Sequence, residues 1–343
     1  MVTIYDIAKH CKCAPSTVSK VLNGYKGITP KTQEKVKKAI KELNYIPNVG
    51  AISLSKAKSR NIGILSYYDS NISTLNHPFF VDISQHFQDA LNEKKYDILF
   101  VSRNVLGKEE TYYRNAKSRN IAGVLLYGDM NQKEMIEIME GDIPCVSFDY
   151  LGDLPVSSVS SDNEKLMEEL TEFVIKNGHR NIAYVSGGKT SAVSDIRYMA
   201  FYNTLRRHNI PWDESRYYES KFKDTESMRA LVKNILTSEN RPTIIICQDD
   251  YGAATAIQVI KELGLRCPED VSVTGFDGVE ISKYTTPILT TAKQDSEKIG
   301  QALSDLLLEK LHNPSTNIKR ILIPGKVIIG DSVLDLTKIE IKN

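Results

Sequence analysis

The stretch Thr3–Asn23, TIYDIAKHCKCAPSTVSKVLN, decides how the whole chain is read. Two short apolar stripes, Ile4-Ile7-Ala8 and Val18-Val21-Leu22, are spaced for two helices that face one another across a tight turn. Thr3 followed by Asp6 reads as a capping box with Asp in place of the usual Glu, and Pro15 suits the first position of the second helix, where its missing N–H costs nothing. The outer face of that second helix then carries Pro15, Ser16, Ser19 and Lys20. This is the layout of a helix-turn-helix, whose second helix enters the major groove with its N-terminal residues nearest the base edges. Lys20 can donate to guanine O6 or N7 as a point donor, Ser16 donates or accepts, and Pro15 offers an apolar contact to a thymine methyl. Thr3, Tyr5, Thr17, Asn23 and Tyr45 are candidates for phosphate contacts, which fix position without reading sequence.

Charge points the same way. Residues 1–60 hold twelve Lys and Arg against three Asp and Glu, net +9; with 44 and 43 in the whole chain, the remainder carries 32 against 40, net −8. A basic head on an acidic body places a polyanion partner at one end, because counterion release from neutralised phosphates dominates affinity for DNA. Thr29 as N-cap and Pro30 at the first helical position predict a third helix with Val36, Ala39, Ile40 and Leu43 facing inward. The head is therefore expected over 1–47. The small, polar, basic run NVGAISLSKAKS (48–59) reads as a linker, in which Ala51 and Leu54 would share one edge of a short helix.

At 343 residues the chain is too long for one core. It has no apolar run of membrane-spanning length and no basic-apolar-small export signal, so a cytoplasmic location is expected. The five cysteines are odd in number and scattered; Cys11 and Cys13 form a CxC without the second pair that a zinc site needs. From residue 61 onward, apolar runs (IGILSY, YDILFV, AGVLLY, IPCVSF, NIAYVS, TIIIC, VSVTGF) alternate with helical patterns such as Phe79–Glu93, Asn163–Lys176, Ile196–His208 and Tyr251–Leu263. Apolar strands joined by crossover helices predict an α/β body of two doubly wound parallel-sheet subdomains, 61–160 plus 291–320 and 161–290 plus 321–343. Ligands bind such folds at strand C-termini, here in the cleft between subdomains. Asp149, Asp249, Asp250 and Asp277 follow strands, and Arg197 opens the helix after the Gly187-Gly188 loop. Acids accept sugar hydroxyls and Arg197 donates to them, although an Asp after a strand is often an N-cap, Asp250 above all.

The head resembles that of the lactose and galactose repressor (LacI/GalR) family through TIYDIA, STVSKVLN, TQEKVKKAIKELNYIPN and the AxxL at Ala51–Leu54. The similarity continues through HPFF (77–80), SFD (147–149), NGHRNIAYVSG (177–187), RYMAF (197–201), QDD (248–250) and GFDG (275–278). The resemblance implies a periplasmic-binding-protein-like body, a 48–60 hinge that becomes helical on the operator, and Leu54 as a wedge in the minor groove. It also implies effector contacts from Phe79 or Phe80, Asp149, Arg197, Asp249 and Asp277, with Phe222 and Gln294 matching less closely. The chain departs from the family pattern at Lys12 (turn glycine), Lys20 (arginine), Ile52 (arginine), Asp249 (often Asn) and Ala200 (glycine).

The expected function is a homodimeric, DNA-binding repressor of a carbohydrate-utilisation operon, acting on a pseudo-palindromic operator under control of a sugar-like effector and needing no cofactor or metal. The alternative is a co-repressed regulator that uses a phosphocarrier protein partner. An enzyme or a transport-type sugar-binding protein is the competing class. The chain has no GxGxxG after its first strand, no GxxxxGK[ST] and no GxSxG, and the export signal is missing. The tail GDSVLDLTKIEIKN lacks a heptad seam, which favours a dimer over a tetramer. Four acids with one arginine disfavour a phosphorylated ligand.

Overall fold

Thr3 opens the first helix as its sequence predicts. In the computed structural model, its hydroxyl oxygen accepts from the Asp6 amide while the Asp6 carboxylate accepts from the Thr3 amide at 2.8 Å. The structure describes residues 2–46, 59–67, 77–105, 108–128, 132–149, 152–187, 192–220 and 224–338, and contacts divide it into two units at Ser59 and Arg60. In the first unit, helices Ile4–Cys11, Pro15–Leu22 and Pro30–Glu42 enclose a small core of Ile7, Ala8, Cys11, Val18, Val36 and Ala39. Thr29 caps the third helix and Pro30 begins it. Lys12 ends the first helix at φ 51° and ψ 49°, and the Cys13 amide returns to the Ala8 carbonyl at 3.0 Å. The tight turn thus demands a left-handed residue, and lysine occupies it at a cost of about 1–2 kcal/mol relative to an unstrained conformation.

The second unit is built on two six-stranded sheets. The first runs β13 (Arg320–Ile323), β7 (Ser157–Ser161), β6 (Cys145–Phe148), β5 (Ile121–Gly128), β1 (Asn61–Tyr67), β2 (Asp97–Phe100), all neighbours parallel. Its two faces bury separate cores. One holds Phe87, Leu125, Val146 and Leu303 beneath helices Pro78–Glu93 and Ser296–His312, and the other Leu126, Met135, Ile138 and Cys145. A two-strand hairpin, β3 (Asn104–Val105) with β4 (Lys108–Glu109), stands apart.

The second sheet runs β14 (Lys326–Ile328), β12 (Thr290–Lys293), β11 (Ser272–Asp277), β10 (Ile244–Ile246), β8 (Ile182–Ser186), β9 (Tyr217–Glu219), with only β14 antiparallel. It too is covered on both faces, by helices Thr225–Thr237 and Asp250–Glu262 on one and by Asn163–Lys176 and Ala192–Arg207 on the other. Burial on both faces explains why β5, β10 and β11 read as largely apolar runs. His179 fastens the end of the chain to this lobe: its ring nitrogens lie 2.9 Å from Thr243 Oγ1 and 3.0 Å from the Leu334 carbonyl oxygen. Burial lowers its pKa to about 4, so the ring is neutral there.

Sheet membership moves the expected crossings. All of β12 pairs within the second sheet, so Thr291–Lys293 do not belong to the first subdomain, whereas Ser161 and Ile321–Ile323 do. Each boundary shifts by one to three residues, because SSVSS and TTAK are buried through hydroxyls and small groups and show no apolar run. The helix that holds Arg197 begins at Ala192, so Arg197 sits in its second turn, not at its opening.

Relieving the strained turn tests the head directly. Lys12→Gly removes the left-handed penalty and loses part of the gain to unfolded-chain entropy, for a net stabilisation of about 0.5–1 kcal/mol. Slower amide hydrogen exchange at Val18 and Val36 in the variant is the expected result; unchanged or faster exchange would show that the turn is unstrained.

Candidate functional sites: a groove-reading helix and an acid-lined cleft

Helix Pro15–Leu22 buries Val18 and turns Ser16 and Lys20 to solvent, with Pro15, Thr17 and Ser19 half-buried beside them. That is one polar, cationic ridge. Tyr5 is 70% exposed on the preceding helix. Thr3 and Asn23 are engaged within the head: the Thr3 hydroxyl donates to Asp6 at 2.7 Å, and Asn23 Nδ2 donates to the Ser19 carbonyl at 3.0 Å. Tyr45 packs half-buried against the three-helix core. These three therefore shape the surface, and Tyr5, Ser16 and Lys20 present it. Ala51 and Leu54 lie outside the described residues, as does Phe222.

In the second unit, strand ends from both sheets converge. Asp149 follows β6, Asp277 ends β11, and Asp249 lies just beyond β10. Asp149 (φ 57°) and Asp277 (φ 96°) both hold positive φ, a strained backbone of the kind that collects where side chains must be aimed. Asp277 is the hub. It accepts from Gln294 Nε2 at 2.6 Å, lies 3.4 Å from His77 Nε2 and stands 3.9 Å from an Arg197 terminal nitrogen. His77 comes from the first lobe, so this contact spans the cleft.

Arg197 is 8% exposed and held from three sides. Its Nε donates to Asn163 Oδ1 at 2.8 Å, a terminal nitrogen donates to the Gln248 carbonyl at 3.4 Å, and its plane lies over the Phe276 ring with 3.6 Å to the centroid. Asn163, in turn, donates to the Ser161 carbonyl at 3.1 Å, which ties the guanidinium to the crossing between lobes.

The site leaves sealed polar atoms without partners: His77 Nδ1, Asp149 Oδ1, Ser161 Oγ, Gln248 Oε1, Asp249 Oδ2 and Gln294 Oε1. Buried polar groups are normally satisfied, so each of these atoms calls for an explanation. Most of these atoms are acceptors. Burial, with Asp277 nearby, raises the Asp149 pKa to about 7 despite Arg197 and the Ser161 amide. Burial likewise raises Asp249 to about 6, against the lowering effect of the Gly252 amide.

The structure moves the expected helix cap from one of two neighbouring acids to the other. Asp249, not Asp250, is the N-cap of helix Asp250–Glu262, accepting from the Gly252 amide at 2.6 Å. Asp250 is a structural tie that accepts from the Val279 amide at 2.7 Å and the Thr291 hydroxyl at 2.5 Å. It fits only because Gly275 lacks a Cβ, which would collide with its carboxylate. Phe79 and Phe80 also separate: Phe79 is 4% exposed in the first lobe's core, and Phe80 lies edge-on to His77 with 5.8 Å between centroids. Sequence reasoning missed His77, Asn163 and Gln248. His77 stands in the quoted HPFF, but at an N-cap position where a helix-capping role would have hidden it.

The residue 3–48 segment matches the family model for bacterial regulatory proteins of the lacI family, and residues 171–333 match that for a periplasmic binding protein-like domain. Over 340 residues the chain is 31% identical to the probable HTH-type transcriptional repressor ExuR of Bacillus subtilis, spanning 98% of this chain and 100% of that protein. The chain belongs to the LacI family. It is also 30% identical over 315 residues to the HTH-type transcriptional repressor PurR of Aliivibrio salmonicida, spanning 91% of this chain and 92% of that one. Among solved structures, the lac repressor dimer bound to operator and the anti-inducer ONPF superposes with a TM-score of 0.84 at 26% identity, covering 97% of this chain and 99% of that one. This LacI-family chain is thus a DNA-binding transcriptional repressor and not an enzyme.

The raised Asp149 pKa has a stability consequence with a definite sign. The ordinary value is 3.8 and the folded value about 7, so the folded chain keeps a proton that the unfolded chain releases. Its contribution to stability is fully present below about pH 4 and is lost as pH rises through about 7. Asp149→Asn stays neutral, so urea denaturation should show the variant gaining roughly 2–4 kcal/mol on the parent across that window. A difference that does not change with pH would place the Asp149 carboxyl in solvent contact.

Proposed function

We propose that the cleft around Asp149, Arg197, Asp249, Asp277, Gln294 and His77 binds a small, hydroxyl-rich effector, a sugar in the first instance, and that this binding sets operator affinity. The observation that carries the reading is the set of sealed, unpartnered acceptors on facing strand ends. Sugar hydroxyls donate to such acceptors, and the Phe80 ring beside His77 offers an apolar wall for a ring face. Phe222, from outside the described residues, is proposed for the same wall. The protein works as a homodimer, presenting two heads to the half-sites of a pseudo-palindrome, with Pro15, Ser16, Ser19 and Lys20 at base edges and Tyr5 and Thr17 at phosphates. Ala51 and Leu54 of the linker are proposed to enter the minor groove between them.

Effector and operator are then linked reciprocally: each changes the other's affinity by the same factor, typically about 1–3 kcal/mol in such systems. Arg197 suits the coupling role because Asn163 connects it to the segment that joins the lobes.

Two substitutions separate the halves of the mechanism. Lys20→Ala should weaken binding to the specific operator by about 1–3 kcal/mol and narrow the gap to competitor DNA. Equal specific and nonspecific losses in a gel-shift titration would make Lys20 a phosphate contact. Arg197→Ala should leave operator binding intact and remove the response to any sugar that raises the wild-type melting midpoint. A variant that still responds normally sinks the cleft assignment.

A further inference from the structure

We infer that the effector carries a positively charged nitrogen, as in an amino sugar, seated on the Asp249 carboxylate. This rests on the reading of the cleft as the effector site and narrows the class of molecule it accepts. Three carboxylates meet at the strand ends, Asp149 from the first lobe and Asp249 and Asp277 from the second. The cationic groups near them are Arg197 and, when protonated, His77, and both turn to Asp277, at 3.9 and 3.4 Å. Arg197 is further engaged by Asn163, the Gln248 carbonyl and the Phe276 ring. Among the described residues its ion pair is with Asp277, and it makes none with Asp149 or Asp249.

Asp249 is 1% exposed, and its two oxygens differ. Oδ1 accepts from the Gly252 amide at 2.6 Å, whereas Oδ2 is sealed and unpartnered. Asp149 Oδ1 is in the same condition. Beneath them Asp250 adds a further acid whose oxygens are committed to Val279 and Thr291. The other titratable groups that face Asp249 are Tyr251 and Cys247, neither of which supplies positive charge. Among the described residues the cleft therefore holds more carboxylates than cations.

A neutral hydroxyl would give Asp249 Oδ2 a hydrogen bond and leave the excess charge in place. An ammonium group answers both deficits, with three donors for the unpartnered acceptors and a charge that holds the carboxylate ionised. A ligand phosphate or carboxylate would add to the repulsion instead.

The test is calorimetric titration of the full-length protein at pH 7 with glucosamine, galactosamine and mannosamine, each compared with its parent hexose and its N-acetyl derivative. At least one amino sugar should bind tenfold or more tightly than both of its neutral counterparts. Asp249→Asn, which keeps an acceptor for the Gly252 amide, should reduce that preference to within about twofold. A hexose that binds as tightly as its amino form overturns the inference while leaving the effector-site reading intact. Failure of every sugar in the panel overturns both, and an amino preference that survives in Asp249→Asn removes Asp249 as its seat. Should the variant fail to fold, the comparison of amino with N-acetyl sugars on the wild-type chain decides alone.

Discussion

Burying one guanidinium among carboxylates is the constraint around which the second unit is arranged. A charge taken out of water must be surrounded by partners or it shifts the equilibrium toward unfolding. Arg197 meets this with an amide oxygen from Asn163, a carbonyl from Gln248, the face of Phe276 and the field of Asp277. Those partners come from the crossing segment, the end of β10 and the end of β11, so the ion fixes three parts of the second lobe at once. His77 extends the same network to the first lobe through Asp277. Asp149 and Asp249 remain incompletely paired, and burial raises the pKa of both.

Much of this was legible in the residues alone. The capping box at Thr3 and the proline-led second and third helices follow from local chemistry that tertiary contacts do not override. The buried strands show themselves by unbroken apolar runs. What escaped was encoded in side chains that look polar but are buried. Ser157–Ser161 is a fully buried strand made mostly of serine, and no hydropathy pattern announces it. That Asp249 rather than Asp250 caps the helix, while Asp250 packs its carboxylate against Gly275, is something only three-dimensional packing reveals. His77 and Asn163 act across elements distant in sequence, and periodicity carries no information about such pairs.

The head follows a different economy. Its core is six small or medium side chains, and so its stability rests heavily on caps and on the turn. Thr3 and Asn23 close the ends of the two helices that frame the reading surface, leaving Ser16 and Lys20 displayed on a rigid support. At the left-handed turn position, the Lys12 and Cys13 amides both donate back into the first helix.

The three passages of the chain between lobes lie side by side. The Asp162 amide donates to the Ile323 carbonyl at 2.8 Å, and a Cβ on Gly325 would come within 2.6 Å of the Lys293 carbonyl oxygen. The three passages are thereby bound into one seam. Asn163 stands at one of these passages and holds the Arg197 guanidinium, so the seam that joins the lobes also carries the partner that orients this side chain.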